Sequence, residues 1–93
     1  MEERAILTPI DIGGVRLRNR VAMPPMSTRL SNADGSVSQR LIDWYEERAS
    51  GGVGLIIVEY SYIDEDRSKA SGCQLGVSSD KLTPGVIALA EAI

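Results

Sequence analysis

The sequence predicts an α/β fold built on a parallel strand pair, and three stretches carry that prediction. Val53-Gly54-Leu55-Ile56-Ile57-Val58 is continuous and rich in β-branched residues, without polar alternation. That pattern suits a strand covered on both faces, as in a parallel sheet. Val21-Ala22-Met23 is a second short apolar run, ended by Pro24-Pro25. Between them, residues 39–50 carry apolar side chains at helical spacing. Strand, helix and strand make a βαβ unit with a right-handed crossover. Both strands then run the same way, which puts Pro24-Pro25 and Glu59 at the same end of the pair.

Each element has a local cause. Residues 1–8 are a short lead-in. Ile10-Asp11-Ile12 and Val15-Arg16-Leu17 alternate apolar and polar side chains around Gly13-Gly14, a two-residue turn signal, so they predict a β-hairpin. Arg18-Asn19-Arg20 leads into the strand at 21–23. Proline lacks an N–H and fixes its own φ, so Pro24-Pro25 is a stiff strand exit, followed by Met26 and the hydroxyl pair Ser27-Thr28. Residues 27–37 read as a loop, turn-rich at 31–36. Ser38 is the expected N-cap of the helix at 39–50, with Leu41, Ile42, Tyr45 and Ala49 on one face and Asp43, Glu46 and Glu47 on the other. Ser50-Gly51-Gly52 stops it, since glycine accepts the left-handed conformation past a helix end. Residues 60–79 read as a long loop, in which Arg67 is expected to pair within Asp64-Glu65-Asp66. Asp80-Lys81-Leu82-Thr83-Pro84 predicts a second helix with proline in its first turn. Its apolar stripe is Leu82, Val86, Ile87, Leu89, Ala90 and Ile93, and a stripe of that strength predicts a further strand. Two strands and two helices do not cover both faces of a sheet, so the expectation is a piece of a larger barrel, or a chain that forms a homo-oligomer to hide its open edges.

Composition excludes several functions. The chain has 93 residues, 43% of them hydrophobic, which is globular rather than disordered. Its net charge of −3 is spread without a basic block, which argues against a nucleic-acid surface and an anionic-membrane patch. The apolar run Leu55–Val58 is far too short to span a bilayer. There is no histidine and there is one cysteine, Cys73, so zinc-site spacing is missing and no intrachain disulfide can form. The acidic start, Met1-Glu2-Glu3-Arg4, has no apolar stretch after it, and with the single cysteine this points to a reducing, cytoplasmic setting.

The order of these blocks is specific. Pro9-Ile10-Asp11-Ile12-Gly13-Gly14-Val15-Arg16-Leu17-Arg18-Asn19-Arg20-Val21, followed by Met23-Pro24-Pro25-Met26, resembles the opening of the Old Yellow Enzyme family of NADH:flavin oxidoreductases. Four further stretches keep the family's order and spacing: Asp34-Gly35, then Tyr45–Ala49, then Gly51–Glu59, then Leu75-Gly76-Val77 with Ser79-Asp80. The resemblance covers roughly residues 6–90. It implies a TIM (β/α)8 barrel carrying FMN at the C-terminal ends of its strands, where such barrels keep their active sites. Residues 1–93 would then be the N-terminal fragment of that single FMN-binding domain, with the hairpin plugging the barrel's N-terminal mouth. The implied activity is that of an ene-reductase, of 2-enoate or dienoyl reductase type, taking hydride from NAD(P)H through FMN to an activated C=C bond of a small alkene. Carried over by position, Pro25 and Met26 would line the flavin ring with main-chain groups. Ser27 would place a hydroxyl near the flavin O4/N5 edge and favour the reduced cofactor. Tyr60 stands where the family has a small residue whose backbone meets the flavin, and Ser78 where an aromatic residue is common. The family's substrate-binding, proton-donating and phosphate-binding residues match nothing in these 93 positions, which predicts that the isolated chain is inactive and does not bind FMN tightly.

Taken alone, the same residues have plainer readings. Pro24-Pro25-Met26 is then a rigid strand-to-loop turn with a core methionine, and Ser27 caps a turn. Glu59 is a solvated or ion-paired strand-end residue. Trp44 and Tyr45 are packing residues, Tyr60 and Tyr62 are packing residues or pocket walls, and Cys73 is an inert loop thiol.

Overall fold

Gly13 and Gly14 both adopt positive φ (56° and 84°), as a two-residue hairpin turn of the I′ kind requires. They join β1 (Ile10–Ile12) to β2 (Val15–Leu17), antiparallel, with Ile10 opposite Leu17 and Ile12 opposite Val15. The structure, a computed structural model, describes residues 4–93; the acidic start at residues 1–3, which bears on secretion, lies outside them.

The predicted parallel pair is present. β3 (Ala22–Met23) and β4 (Leu55–Ile56) run parallel, with Ala22 beside Leu55 and Met23 beside Ile56. The regular ladder is shorter than the apolar runs 21–23 and 53–58, but flanking bonds extend it. Val21 O accepts from Gly54 N (3.0 Å) and Leu55 N (3.2 Å), and Met23 O accepts from Ile57 N (3.0 Å). The residues before β3 lock this register. Asn19 donates to Gly52 O (2.6 Å) and accepts from Val21 N (3.0 Å). Gly54 must be glycine for this approach, because a Cβ there would lie 2.5 Å from Asn19 Oδ1. Arg18 donates to Ala49 O (2.9 Å), at the C-terminal end of the intervening helix, where a cation is favoured, and to Val53 O (3.1 Å) beyond it.

That helix, α1 (Gln39–Ser50), has the predicted bounds. Ser38 Oγ accepts from Leu41 N (3.1 Å) and donates to Leu30 O. Gly52, with φ of 105°, supplies the left-handed residue after it. Leu41 and Tyr45 are fully buried and pack with Leu75 and Leu89 into one core. Met23, Ile56 and Val58 from the strand pair lie against it. The second helix begins as a 3-10 turn at Asp80–Leu82 and continues as α2 (Thr83–Ala92), with Pro84 in its first turn. Of its apolar stripe, Leu82 and Leu89 are buried while Ile87 is exposed.

The segment 60–79 is more ordered than a long loop. Tyr62 forms a parallel bridge with Gly76, through Tyr62 N to Leu75 O (3.0 Å) and Val77 N to Tyr62 O (2.9 Å). Its buried ring donates a hydroxyl bond to Asp34 O (3.1 Å). Gly35 and Gly76 face that ring, and a Cβ on Gly76 would sit 2.5 Å from Tyr62 Cζ. Two of the sequence blocks, Asp34-Gly35 and Leu75-Gly76-Val77, thus meet around one tyrosine. Arg67 does not make the expected ion pair. The ion pairs among the described residues are Asp11–Arg16 and Glu47–Arg48. Asp64 instead accepts from the backbone N–H groups of Asp66 (3.0 Å) and Arg67 (3.2 Å), because a short side chain at a turn reaches backbone more readily than a distant guanidinium.

Coverage of the sheet on both faces is not met. The core lies on one side of β3–β4, and Ile57, next to β4, is 46% exposed. The radius of gyration is 15.2 Å, against about 12 Å for a compact domain of this length. Among the described residues no helix is long and apolar enough to cross a membrane.

Candidate functional site at the strand exits

Because β3 and β4 are parallel, their C-terminal ends deliver Pro24–Thr28 and Val58–Tyr60 to one end of the pair. Pro24, Pro25 and Met26 are exposed, and Met26 at 54% exposure is not the core methionine of the plainer reading. Ser27 is half-buried. Its Oγ is closed off from solvent yet makes no hydrogen bond among the described residues, so it caps no turn. An unpaired buried hydroxyl costs ~1–3 kcal/mol, so Ser27 is an unfilled hydrogen-bonding position. Tyr60, on the other strand exit, is half-exposed.

The two exits are joined by a network that sequence reasoning missed. Glu59, taken as a solvated or ion-paired strand-end residue, is 2% exposed and paired with no cation among the described residues. Its Oε1 accepts from Thr28 Oγ1 (2.8 Å) and from the Tyr45 hydroxyl (3.1 Å), and its Oε2 lies 3.4 Å from Thr28 N. Tyr45 OH in turn accepts from Glu59 N (2.9 Å), and Thr28 Oγ1 from Leu30 N (3.2 Å). Tyr45 is therefore more than packing. Burial chiefly, with the Glu59 charge adding to it, pushes its phenol up to about 12. The signal available in the sequence was weak: Tyr45 at the last buried turn of α1, and an acidic residue directly after an apolar strand. What no pattern announces is that Thr28 reaches back across the crossover. Arg29, just after Thr28, has φ of 58°, an uncommon conformation for a residue with a Cβ.

Of the four predicted site residues, Pro25, Met26 and Ser27 form one strap and Tyr60 lies on the neighbouring exit, with the Thr28–Glu59 bond joining the two segments. Ser78 is elsewhere, in a polar cleft of about 310 Å³ with Asp34, Glu65 and Lys81. An apolar groove of about 430 Å³ runs from Val58 and Leu75 to Leu89 and Ile93, between the end of β4 and α2. The hairpin lies at the opposite end, where Ile10, Ile12 and Leu17 meet Ala22 and Leu55 around a small cavity of about 100 Å³. No cluster of three or more metal-ligating side chains occurs among the described residues.

An NADH oxidase from Thermoanaerobacter brockii is 55% identical over 82 residues, which are 88% of this chain and 13% of that protein. An NADH:acrylate oxidoreductase from Vibrio harveyi is 41% identical over 80 residues, 86% of this chain and 8% of its own. A solved 2-naphthoyl-CoA reductase superposes with a TM-score of 0.92 at 29% identity, over 96% of this chain and 14% of that one. The chain therefore spans a small part of the length of the relatives it matches. Residues 5–93 match the family profile of the NADH:flavin oxidoreductases and NADH oxidases, so the chain belongs to the NADH:flavin oxidoreductase / NADH oxidase family.

Proposed function

We propose that this chain forms the opening of an FMN-dependent (β/α)8-barrel oxidoreductase, contributing its first two strands, the mouth-plugging hairpin and one wall of the flavin site. The observation that carries the reading is Ser27, whose Oγ lacks a partner on an exposed strap at the C-terminal ends of two parallel strands. Those ends are where such barrels bind ligands. The residues present fit a flavin: Pro25 has no N–H to leave unpaired, Met26 is exposed, and Ser27 has a hydroxyl to donate. FMN, when bound, supplies the hydride transfer that links NAD(P)H to an activated C=C bond. Pro25 and Met26 would hold the ring plane, Ser27 would donate to its carbonyl edge, and the backbone of Tyr60 would close the neighbouring side with its ring as a pocket wall. Support for an alkene conjugated to a carboxylate comes from the acrylate-reducing relative. The test is the visible flavin spectrum of the purified full-length protein that carries this chain as its opening, and its bleaching by NADH or NADPH. A protein that stays colourless after reconstitution with FMN refutes the proposal.

A second reading concerns the 93-residue chain by itself, which we infer to be an inactive structural fragment without tight FMN binding. It is supported by the open shape, the half-exposed Ile57 and the small share of its relatives that the chain spans. The groove between β4 and α2 is where a third βα unit would pack. Titration of the 93-residue chain with FMN is decisive, and stoichiometric submicromolar binding would overturn this reading.

A further inference from the structure

We propose that Glu59 is a positioning residue that locks Thr28, and through it Ser27, in register with the end of β4; this rests on the reading that Ser27 faces the flavin. Hydrogen bookkeeping carries the argument. Thr28 Oγ1 accepts the Leu30 N–H, and Tyr45 OH accepts the Glu59 N–H. Each hydroxyl has one proton left, and in both cases the oxygen within reach is Glu59 Oε1, at 2.8 and 3.1 Å. Glu59 Oε2 faces the Thr28 N–H. The carboxylate is met by three donors and no acceptor, an environment complementary to an acceptor-only group.

A buried carboxylate without a cation is a costly way to hold two strands together when apolar contacts would serve. What it adds is direction. Thr28 is fixed at both its backbone N–H and its side chain, and Ser27, the residue before it, has no bond of its own. The orientation of Ser27 is therefore inherited from Thr28. The same carboxylate belongs to the residue preceding Tyr60, whose main-chain course is held through Tyr45. The left-handed Arg29 lies inside the Thr28-to-Leu30 bond, so releasing Thr28 also releases that turn. One side chain thus sets both sides of the strand-exit site relative to each other.

The test uses the FMN-loaded full-length protein that carries this chain as its opening, four single variants, S27A, T28V, T28S and E59Q, and one double variant. Readouts are FMN affinity, the flavin midpoint potential and the thermal midpoint. T28V and E59Q are expected to weaken FMN about tenfold, equivalent to ~1.4 kcal/mol, and to lower the potential in the same direction as S27A. T28S, which keeps the hydroxyl, is expected to retain both. The T28V/E59Q double variant should be no worse than the poorer single, since both disrupt the same Thr28–Glu59 contact. If S27A shifts the potential while T28V and E59Q change only the thermal midpoint, the network is structural and the positioning role is overturned. If S27A moves neither affinity nor potential, the flavin-facing reading of Ser27 fails and takes this inference with it.

Discussion

Replacing Tyr45 by Phe removes one oxygen from the middle of the fold, and the structure sets the size of the loss. The ring stays, so the packing with Leu41, Leu75 and Leu89, and the edge-on contact with Trp44 at 5.0 Å, is retained. Two hydrogen bonds go. The Glu59 N–H loses its acceptor at 2.9 Å inside a residue that is 2% exposed, and an orphaned buried donor costs ~1–3 kcal/mol. The Glu59 carboxylate loses one O–H donor at 3.1 Å and keeps Thr28; a bond to a charged group contributes ~1.5–3 kcal/mol, partly recovered by the remaining donor. The expected destabilisation is ~3 kcal/mol, far above the ~0.5 kcal/mol expected of the same change at half-exposed Tyr60. Urea unfolding reads this directly, followed by far-ultraviolet circular dichroism and by the fluorescence of Trp44, the only tryptophan in the sequence. A midpoint for Y45F within experimental error of Y60F would refute the reasoning, because it would mean that the Tyr45 hydroxyl does not satisfy Glu59.

The same phenol makes stability depend on pH in a defined window. Its folded value of about 12 lies above the ordinary 10, so the contribution is fully present below pH 10 and is lost as pH rises through 12; the unsubstituted protein should lose stability over that window, and Y45F should lose less, keeping the part that comes from Tyr62, whose phenol burial also raises. At Gly35, φ is 86° and an added Cβ would overlap the Tyr62 hydroxyl, so Gly35→Ala is expected to lower stability by ~2 kcal/mol or more. Gly72→Ala, at a position with open space around it, should change stability by less than ~0.5 kcal/mol in the same denaturation assay, and equal effects at the two sites would contradict the packing described around Tyr62.

Much of this protein is local, and local features are legible in sequence. The Gly13-Gly14 turn, the Ser38 cap and the helix bounds at 39–50 each depend on a few adjacent residues, and the parallel relation of residues 21–23 to 53–58 follows from the order of the elements. The family, too, was legible, because five blocks in fixed order are a one-dimensional signal. Legibility ends where residues far apart share an atom. Asn19 and Gly54 approach to within what only a glycine allows, and Asp34-Gly35 meets Gly76 across the Tyr62 ring. Glu59 shows the limit best. Its sequence neighbours suggest a solvated strand end, yet Thr28 and Tyr45, 31 and 14 residues away, bury it and supply its donors. An acidic side chain can be buried only where such donors converge, and convergence is a property of the βαβ crossover rather than of any stretch of chain. The sequence by itself determined the elements, their order and the family. Only the tertiary structure decided which polar groups at the strand exits are already paired and that Ser27 is not.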